Sequence, residues 1–196
     1  MSRFGRYVSM RSEKKKQDRR TVYTCTVIKD ALLALMSKQD YAMLTVADVC
    51  RAAEISRSTF YRHYDNLRQV IDEAFSDARS LIAMLDHLSG TGENKPSRHM
   101  CVFLRKNRKY IPLFLSPAFR GEAVNWFISN ELKLRDWLKS EGKSLDDKEL
   151  RTIMFFQLNG CLALVQENLD VSDEEWERIK NSVDSFLIRG MTITSR

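Results

Sequence analysis

The feature that most constrains the fold is a helical spacing of apolar residues along nearly the whole chain. It is clearest between residues 66 and 88, where apolar side chains recur at every third or fourth position. This stripe consists of Leu67, Val70, Ile71, Ala74, Phe75, Ala78, Leu81, Ile82 and Leu85. Only 7 Gly and 3 Pro interrupt 196 residues. We count about nine helical segments and no convincing strand, which predicts an all-α fold.

These segments divide the chain into three predicted parts. Residues 1–20 are rich in Lys and Arg and poor in apolar residues, so we predict a flexible basic arm. Both a solvated tail and an arm that contacts DNA fit this composition. Residues 21–66 hold three short helices, and residues 67–196 hold the longer ones. Most of the formal net charge of +6 lies within residues 1–80, which suits an N-terminal domain that meets phosphate; a merely soluble basic surface fits equally well.

Residues 45–64 are predicted to form two short helices joined by a tight turn, the helix-turn-helix unit. Thr45 is a suitable N-cap for the first helix, and Asp48 stands at the position that completes a capping box. Ser56 can cap the second helix, which runs from Arg57 to Tyr64.

The second of these helices has two faces of different chemistry. At roughly 100° per residue, Phe60 and Tyr64 fall on one side, where they would pack against the domain. Guanidinium, phenol and hydroxyl groups fall on a separate arc, formed by Arg57, Ser58, Tyr61 and Arg62. These groups suit base edges and phosphate oxygens. Each residue alone would more often be ordinary surface or packing, but their occurrence together favours DNA binding.

The run "TVADVCRAAEISRSTFYRHYDNLRQVIDEAF", residues 45–75, resembles the DNA-binding domain of TetR-family transcriptional regulators. The shared features are the Thr-capped second helix, the aromatic recognition helix and the long amphipathic helix directly after it. The resemblance implies binding to double-stranded DNA. The contacts carried over are Thr45, Ser56, Arg57, Ser58, Tyr61, Arg62 and His63. His63 fits a contact at the groove rim, and a structural histidine is the alternative.

The same resemblance implies a homodimer formed by the last two helices, 145–168 and 173–189. It further implies a C-terminal domain that binds a small ligand, and repression of transcription. A two-fold dimer predicts a palindromic operator. From the sequence, Ser144 is expected to cap the first of these two helices. That helix is apolar nearly all round, which predicts burial on every side. The last helix is expected to begin with a capping box, Ser172 and Glu175, and to bury Trp176 and Phe186.

Two positions depart from the family pattern. Glu54 stands in the turn where the family usually has Gly, and a residue other than Gly at positive φ carries a cost. Leu67 stands where the family often has a phosphate-contacting Lys, with Arg68 as the available substitute. These departures keep open an alternative function, a same-fold adaptor or co-activator that works through a protein or ligand partner with little operator binding.

A candidate effector pocket is formed by large apolar residues of the C-terminal part: Phe103, Trp126, Phe127, Met154 and Phe155. Residues at this spacing more often form plain core, so the number of them does not establish a cavity. If a pocket exists, a small apolar or aromatic compound is the expected effector.

Other function classes lack their sequence signatures. No nucleophile elbow, phosphate loop or dinucleotide fingerprint occurs, so we expect no enzyme activity and no cofactor. The three His have no metal-ligand spacing. The cysteines are expected to be reduced and buried rather than zinc ligands; they are Cys25, Cys50, Cys101 and Cys161. No stretch has the length and apolarity to span a bilayer, and the N-terminus does not read as a signal peptide, so a cytoplasmic location without membrane contact is expected.

Overall fold

The computed structural model describes residues 19–88, 98–130 and 146–193. Within these ranges the chain forms nine α-helices and no strand, which confirms the all-α prediction. In chain order they are α1 (Arg19–Met36), α2 (Val46–Ala52), α3 (Arg57–His63), α4 (Leu67–Leu88), α5 (Arg98–Lys106), α6 (Ile111–Leu115), α7 (Arg120–Asn130), α8 (Asp147–Glu167) and α9 (Asp173–Ile193). Single 3₁₀ turns, Tyr41–Met43 and Arg108–Tyr110, precede α2 and α6.

The first three helices enclose a small core because each buries one apolar stripe. In α1 the buried stripe includes Cys25, Ile28 and Leu32, and α1 packs against α2, α3 and α4. Val49 of α2 and Phe60 of α3 have no exposed surface and close this core from the other side. The two short helices are therefore held by burial of a few large side chains rather than by their own helical stability.

Helix α4 continues this core into the rest of the chain. Its predicted stripe is buried from Leu67 to Ala78 and belongs to one apolar cluster that also includes residues of α5 to α9. The proposed domain boundary after residue 66 thus falls at the start of a helix that both parts share. None of the described helices combines the length and apolarity needed to cross a membrane.

Helices α7 and α8 lie side by side and run in opposite directions. Arg120, at the start of α7, donates to Asn159 near the middle of α8, with 3.2 Å between Nε and Oδ1. Arg151, near the start of α8, donates to Asn125 of α7 over 3.1 Å. Helix α5 packs on the same helix α8, so α8 is the centre of the C-terminal part.

Arg105 at the end of α5 holds the connection between α8 and α9. Its nearly buried guanidinium donates to the carbonyl oxygens of Asn168 (3.1 Å) and Leu169 (3.2 Å), and also to that of Val171. It forms an ion pair with Asp173 (3.0 Å) and lies 5.5 Å from the centre of the Trp176 ring. One side chain therefore satisfies three carbonyls of the connection between α8 and α9.

Three sequence-based predictions about the last helices need correction. Helix α8 is not buried on every side, because Phe155 and Phe156 are 55 % and 72 % exposed. Asp146, not Ser144, caps α8: its carboxylate accepts from the amide of Glu149 over 2.7 Å, and Glu149 completes a capping box. Ser144 itself lies outside the described residues. Phe186 is not buried but 75 % exposed, although Trp176 of the same helix is buried and Ser172 caps it as predicted. Of the basic arm predicted for residues 1–20, residues 1–18 lie outside the described residues, and Arg19 and Arg20 begin α1.

Candidate nucleic-acid interface

The N-terminus of α2 has the capping box that the sequence predicts. The Thr45 hydroxyl accepts from the Asp48 amide over 3.3 Å, and the Thr45 amide donates to the Asp48 carboxylate over 3.0 Å. Hydrogen bonds from the Thr45 hydroxyl and amide lower the pKa of Asp48, so its carboxylate stays charged. Thr45 is exposed and held in a defined orientation at the start of the helix.

The start of α3 carries a cluster of hydroxyl groups. The Ser56 hydroxyl accepts from the amide of Thr59 over 3.1 Å and so caps the helix. It also lies 2.8 Å from the Ser58 hydroxyl and 2.9 Å from that of Thr59. No acidic residue stands in the first turn of α3. Hydroxyls without neighbouring carboxylates are suited to accept or donate hydrogen bonds at phosphates and base edges.

The two faces predicted for α3 are present. Phe60 and Tyr64 are buried, and the ring centres of the two lie 5.9 Å apart. The residues of the predicted outer arc, Arg57, Ser58, Tyr61 and Arg62, are all exposed. Thr45 and Ser56 are exposed at the two helix starts, whereas His63 is half-buried. The structure therefore places six of the seven residues predicted to contact DNA on the surface, and His63 at its margin.

A polar network anchors the end of α3 to the domain. The Tyr64 hydroxyl donates to Glu73 of α4 over 2.8 Å. Lys29 of α1 donates to the other oxygen of Glu73 over 2.8 Å and also to Asp77. Burial opposes charge on Lys29 and Glu73, but the hydrogen bonds outweigh it: the pKa of Lys29 is raised and that of Glu73 is lowered. The ion pair is therefore kept, and it ties α3, α1 and α4 together.

The turn between α2 and α3 is a Schellman motif built on Glu54. The amide of Ile55 donates to the carbonyl oxygen of Cys50 over 3.0 Å. The amide of Glu54 donates to the carbonyl oxygen of Arg51 over 3.3 Å. Glu54 has a φ of 54°, the left-handed conformation for which Gly is the usual residue. The turn thus keeps its regular hydrogen bonds, and Glu54 carries the conformational strain.

Replacing Glu54 with Gly should raise the free energy of unfolding by about 1 kcal/mol, because Gly adopts this φ without a steric cost. Chemical denaturation followed by circular dichroism measures the change. Glu54→Ala is the matched control, since it removes the charge but keeps a side chain at positive φ. An equal gain in both variants would trace the effect to charge instead of strain.

The residues of this site lie within a region that matches a known family of regulators. The model of the family "Bacterial regulatory proteins, tetR family" matches residues 28–74, which span most of α1, the helix-turn-helix unit and the start of α4. Residues 28–74 are therefore similar to the region that this family model describes. The resemblance seen in the sequence is thereby confirmed.

Individual relatives match different shares of the chain. YxbF, an uncharacterized HTH-type transcriptional regulator of Bacillus subtilis (strain 168), is 41% identical over 130 residues, which is 65% of this chain and 32% of that protein. The chain thus spans about a third of that relative's length. A TetR transcriptional regulator from Streptococcus agalactiae 2603V matches with a TM-score of 0.56 at 21% identity over 85% of this chain and 96% of its own. The dihydroxyacetone kinase operon activator DhaS matches with a TM-score of 0.52 at 18% identity. This match covers 89% of this chain and 99% of the DhaS chain. At these identities the two structures share the fold alone.

Leu67 and Arg68, at the start of α4, have structural roles in this protein. Leu67 is buried in the core. The Arg68 guanidinium forms two hydrogen bonds with Glu122 of α7, of 2.8 and 3.0 Å, and one of 2.8 Å with Asp72. It also lies 5.5 Å from the centre of the Phe119 ring. Arg68 therefore joins α4 to α7 and is not a free cation for phosphate.

The five residues of the candidate effector pocket do not share one environment. Phe103, Phe127 and Met154 are buried and Trp126 is half-buried, but Phe155 is 55 % exposed. Phe114 connects two of them, with ring centres 6.0 Å from Phe103 and 6.4 Å from Phe127. The sequence pattern did not predict the contacts of Phe114 or the Tyr64–Glu73–Lys29 network, because nothing in the local pattern indicates these pairings.

Proposed function

We propose that the chain is a transcriptional regulator that binds a palindromic operator as a homodimer and represses its target in response to a small ligand. The observation that carries the proposal is the outer face of α3. Its four polar side chains are exposed, while Phe60 and the Tyr64 network hold the helix against the domain. A rigid helix that presents guanidinium, phenol and hydroxyl groups is the arrangement that major-groove recognition requires.

Each exposed group of α3 has a role in this proposal. Arg57, in the first turn, is positioned for a bidentate contact with a guanine edge. Tyr61 would pack on a thymine methyl or donate to phosphate, and Ser58 and Arg62 would contact base edges or phosphates. Thr45 and Ser56, at the two helix starts, would contact phosphates, with His63 at the rim of the groove.

The homodimer part of the proposal rests on apolar side chains that the single chain leaves exposed. Phe155 and Phe156 of α8 are 55 % and 72 % exposed, and Phe186 of α9 is 75 % exposed. Three exposed Phe side chains on two successive helices are more typical of a surface that binds a partner chain than of one in contact with water. A second copy joined on these helices in two-fold symmetry would present two α3 helices to one palindrome.

Ligand response requires that the C-terminal part be connected to the α3 face. The Arg68–Glu122 pair joins α4 to α7, and the ammonium of Lys109 donates to Asp30 of α1 over 2.9 Å. An apolar or aromatic effector bound among Phe103, Trp126, Phe127 and Met154 would act on α7 and α8, and through α7 on Arg68. Phe155 would belong to the dimer surface instead.

Replacing Arg57 with Ala should weaken operator binding by about 1–3 kcal/mol and relax the preference at one base of each half-site. The operator is first selected from genomic DNA fragments, and affinity is then measured by fluorescence anisotropy on the operator and on single-base variants. Arg108→Ala, an exposed arginine in the turn before α6, is the matched control and should leave affinity unchanged. An equal loss on every sequence would make Arg57 a phosphate contact.

A second function, an adaptor or co-activator with little operator binding, is favoured by one observation. Leu67 is buried and Arg68 is engaged by Glu122 and Asp72, which leaves the start of α4 without a free cation for phosphate. Gel shifts with the DNA upstream of its own gene separate the two functions. Sequence-independent binding that disappears at moderate salt would support the adaptor.

A further inference from the structure

The start of α4 meets two other parts of the chain at one junction. The guanidinium of Arg68 lies 5.5 Å from the centre of the Phe119 ring, directly before α7. The Phe119 ring packs edge-on against Tyr41, with ring centres 4.7 Å apart. Tyr41 stands four positions before Thr45, and α4 begins four positions after His63. Arg68 is therefore close to the segments that lead into α2 and out of α3, the two helices proposed to meet DNA.

Two acidic side chains hold the Arg68 guanidinium in this structure. Its Nε donates to Asp72, one turn later in α4, over 2.8 Å. Its Nη2 donates to both carboxylate oxygens of Glu122 in α7, over 2.8 and 3.0 Å. Asp72 moves with Arg68 because both belong to α4, whereas the bond to Glu122 depends on where α7 lies. Glu122 thus determines whether this cation is bound to the C-terminal part.

The pair between Arg68 and Glu122 is able to exchange partners. The two side chains are 49 % and 44 % exposed, so water and salt screen both charges and the pair adds little to stability. A DNA phosphate is a strong competitor, because the duplex carries a dense row of negative charge and each contact releases counterions. The planar guanidinium binds phosphate with the same geometry as carboxylate.

We propose that Glu122 is an autoinhibitory residue that withholds Arg68 from the phosphate backbone of DNA. While α7 lies against α4, as in this structure, Glu122 neutralises the cation at the start of α4. When this contact opens, Arg68 turns to a phosphate. This regulation rests on the proposed DNA-binding function and deepens it, because DNA and α7 compete for one side chain. An effector that holds α7 against α4 weakens DNA binding by the same factor by which DNA weakens binding of the effector.

The test compares Glu122→Gln with the unaltered chain on two duplexes, the operator selected from genomic fragments and an unrelated duplex of equal length. Fluorescence anisotropy at several salt concentrations gives the affinity and its salt dependence. The variant should bind both duplexes about 3- to 10-fold more tightly. The slope of log affinity against log salt should steepen by about 0.9 for each Arg68 released. In an Arg68→Gln background, Glu122→Gln should no longer steepen the slope.

Asp30→Asn is the matched control. It also removes one acidic charge and breaks a half-exposed ion pair between distant helical segments, since Asp30 of α1 binds Lys109 over 2.9 Å, but it leaves Arg68 bound to Glu122. It should leave the salt slope unchanged. An equal steepening in Asp30→Asn, or in Glu122→Gln with Arg68 replaced, would trace the effect to net charge and overturn the proposal. An unchanged slope in Glu122→Gln overturns it as well.

Failure of the proposed function has a separate signature. The regulator function fails if neither form prefers the operator over the unrelated duplex, because this preference reports base contacts and not phosphate contacts. The exchange of Arg68 is measured by the salt slope, which sequence-independent binding also provides. Absence of any binding to either duplex overturns both. Circular dichroism of each variant checks that the helices remain folded.

Discussion

Replacing Phe156 with Glu should leave the chain folded but convert the proposed dimer into a monomer. Phe156 is 72 % exposed on α8, so its removal costs the single chain little. In a two-fold dimer the change occurs twice, and each lost Phe contact is worth about 2 kcal/mol or more. The dimer dissociation constant should therefore rise roughly 10³-fold, before the cost of burying two carboxylates is counted. Sedimentation equilibrium over a range of protein concentrations measures this constant directly.

Tyr23→Glu is the matched control, because Tyr23 of α1 is an aromatic residue with 71 % exposure on another helix. It should leave the association state unchanged. Circular dichroism of both variants checks that each is folded. If the Phe156 variant remains dimeric at the wild-type dissociation constant, the copies associate through another surface, and the proposed arrangement of two α3 helices would be wrong.

Replacing Arg105 with Ala should lower the free energy of unfolding by about 3 kcal/mol, the second large effect we expect. The loss leaves the carbonyls of Asn168, Leu169 and Val171 without a donor and removes the cation from the Trp176 ring. The part of the protein affected is the α8–α9 connection. Urea denaturation at one fixed protein concentration measures the change, because association also contributes to apparent stability.

Two further variants separate geometry from charge at this position. Arg105→Lys keeps the positive charge but lacks the planar fork, so it should recover only part of the stability. Arg108→Ala removes an exposed arginine from the next turn and should change stability by less than about 0.5 kcal/mol. A similar small loss in all three variants would mean that the Arg105 hydrogen bonds contribute no more than ordinary surface contacts.

The α3 face could be predicted from sequence because it depends on local geometry. Helical periodicity alone separates Phe60 and Tyr64 from the outer arc, and the Thr45–Asp48 and Ser56 caps involve residues three positions apart. The strained turn was predicted from the family resemblance, since Glu54 stands where the family usually has Gly, and Glu54 does have positive φ. Interactions within a few residues leave a pattern that a sequence preserves.

Contacts between distant residues could not be predicted in this way. Lys29 and Glu73 are separated by 44 positions, and Arg68 and Glu122 by 54. Many charged pairs are available at such separations, and only packing decides which of them meet. Arg68 is an example. The sequence comparison predicted it as a substitute phosphate contact, whereas in the fold its guanidinium binds Glu122 and Asp72.

The sequence by itself determined the class of fold, the helix-turn-helix unit and the chemistry of its outer face, because helical period and capping act over a few residues. Only the tertiary structure decided which side chains anchor that face and which apolar residues stay exposed. Phe186 illustrates the difference: its place in the helical stripe predicts burial, yet none of the described helices covers it. Burial depends on which elements pack together, and that is settled by the whole fold and, in our proposal, by a second chain.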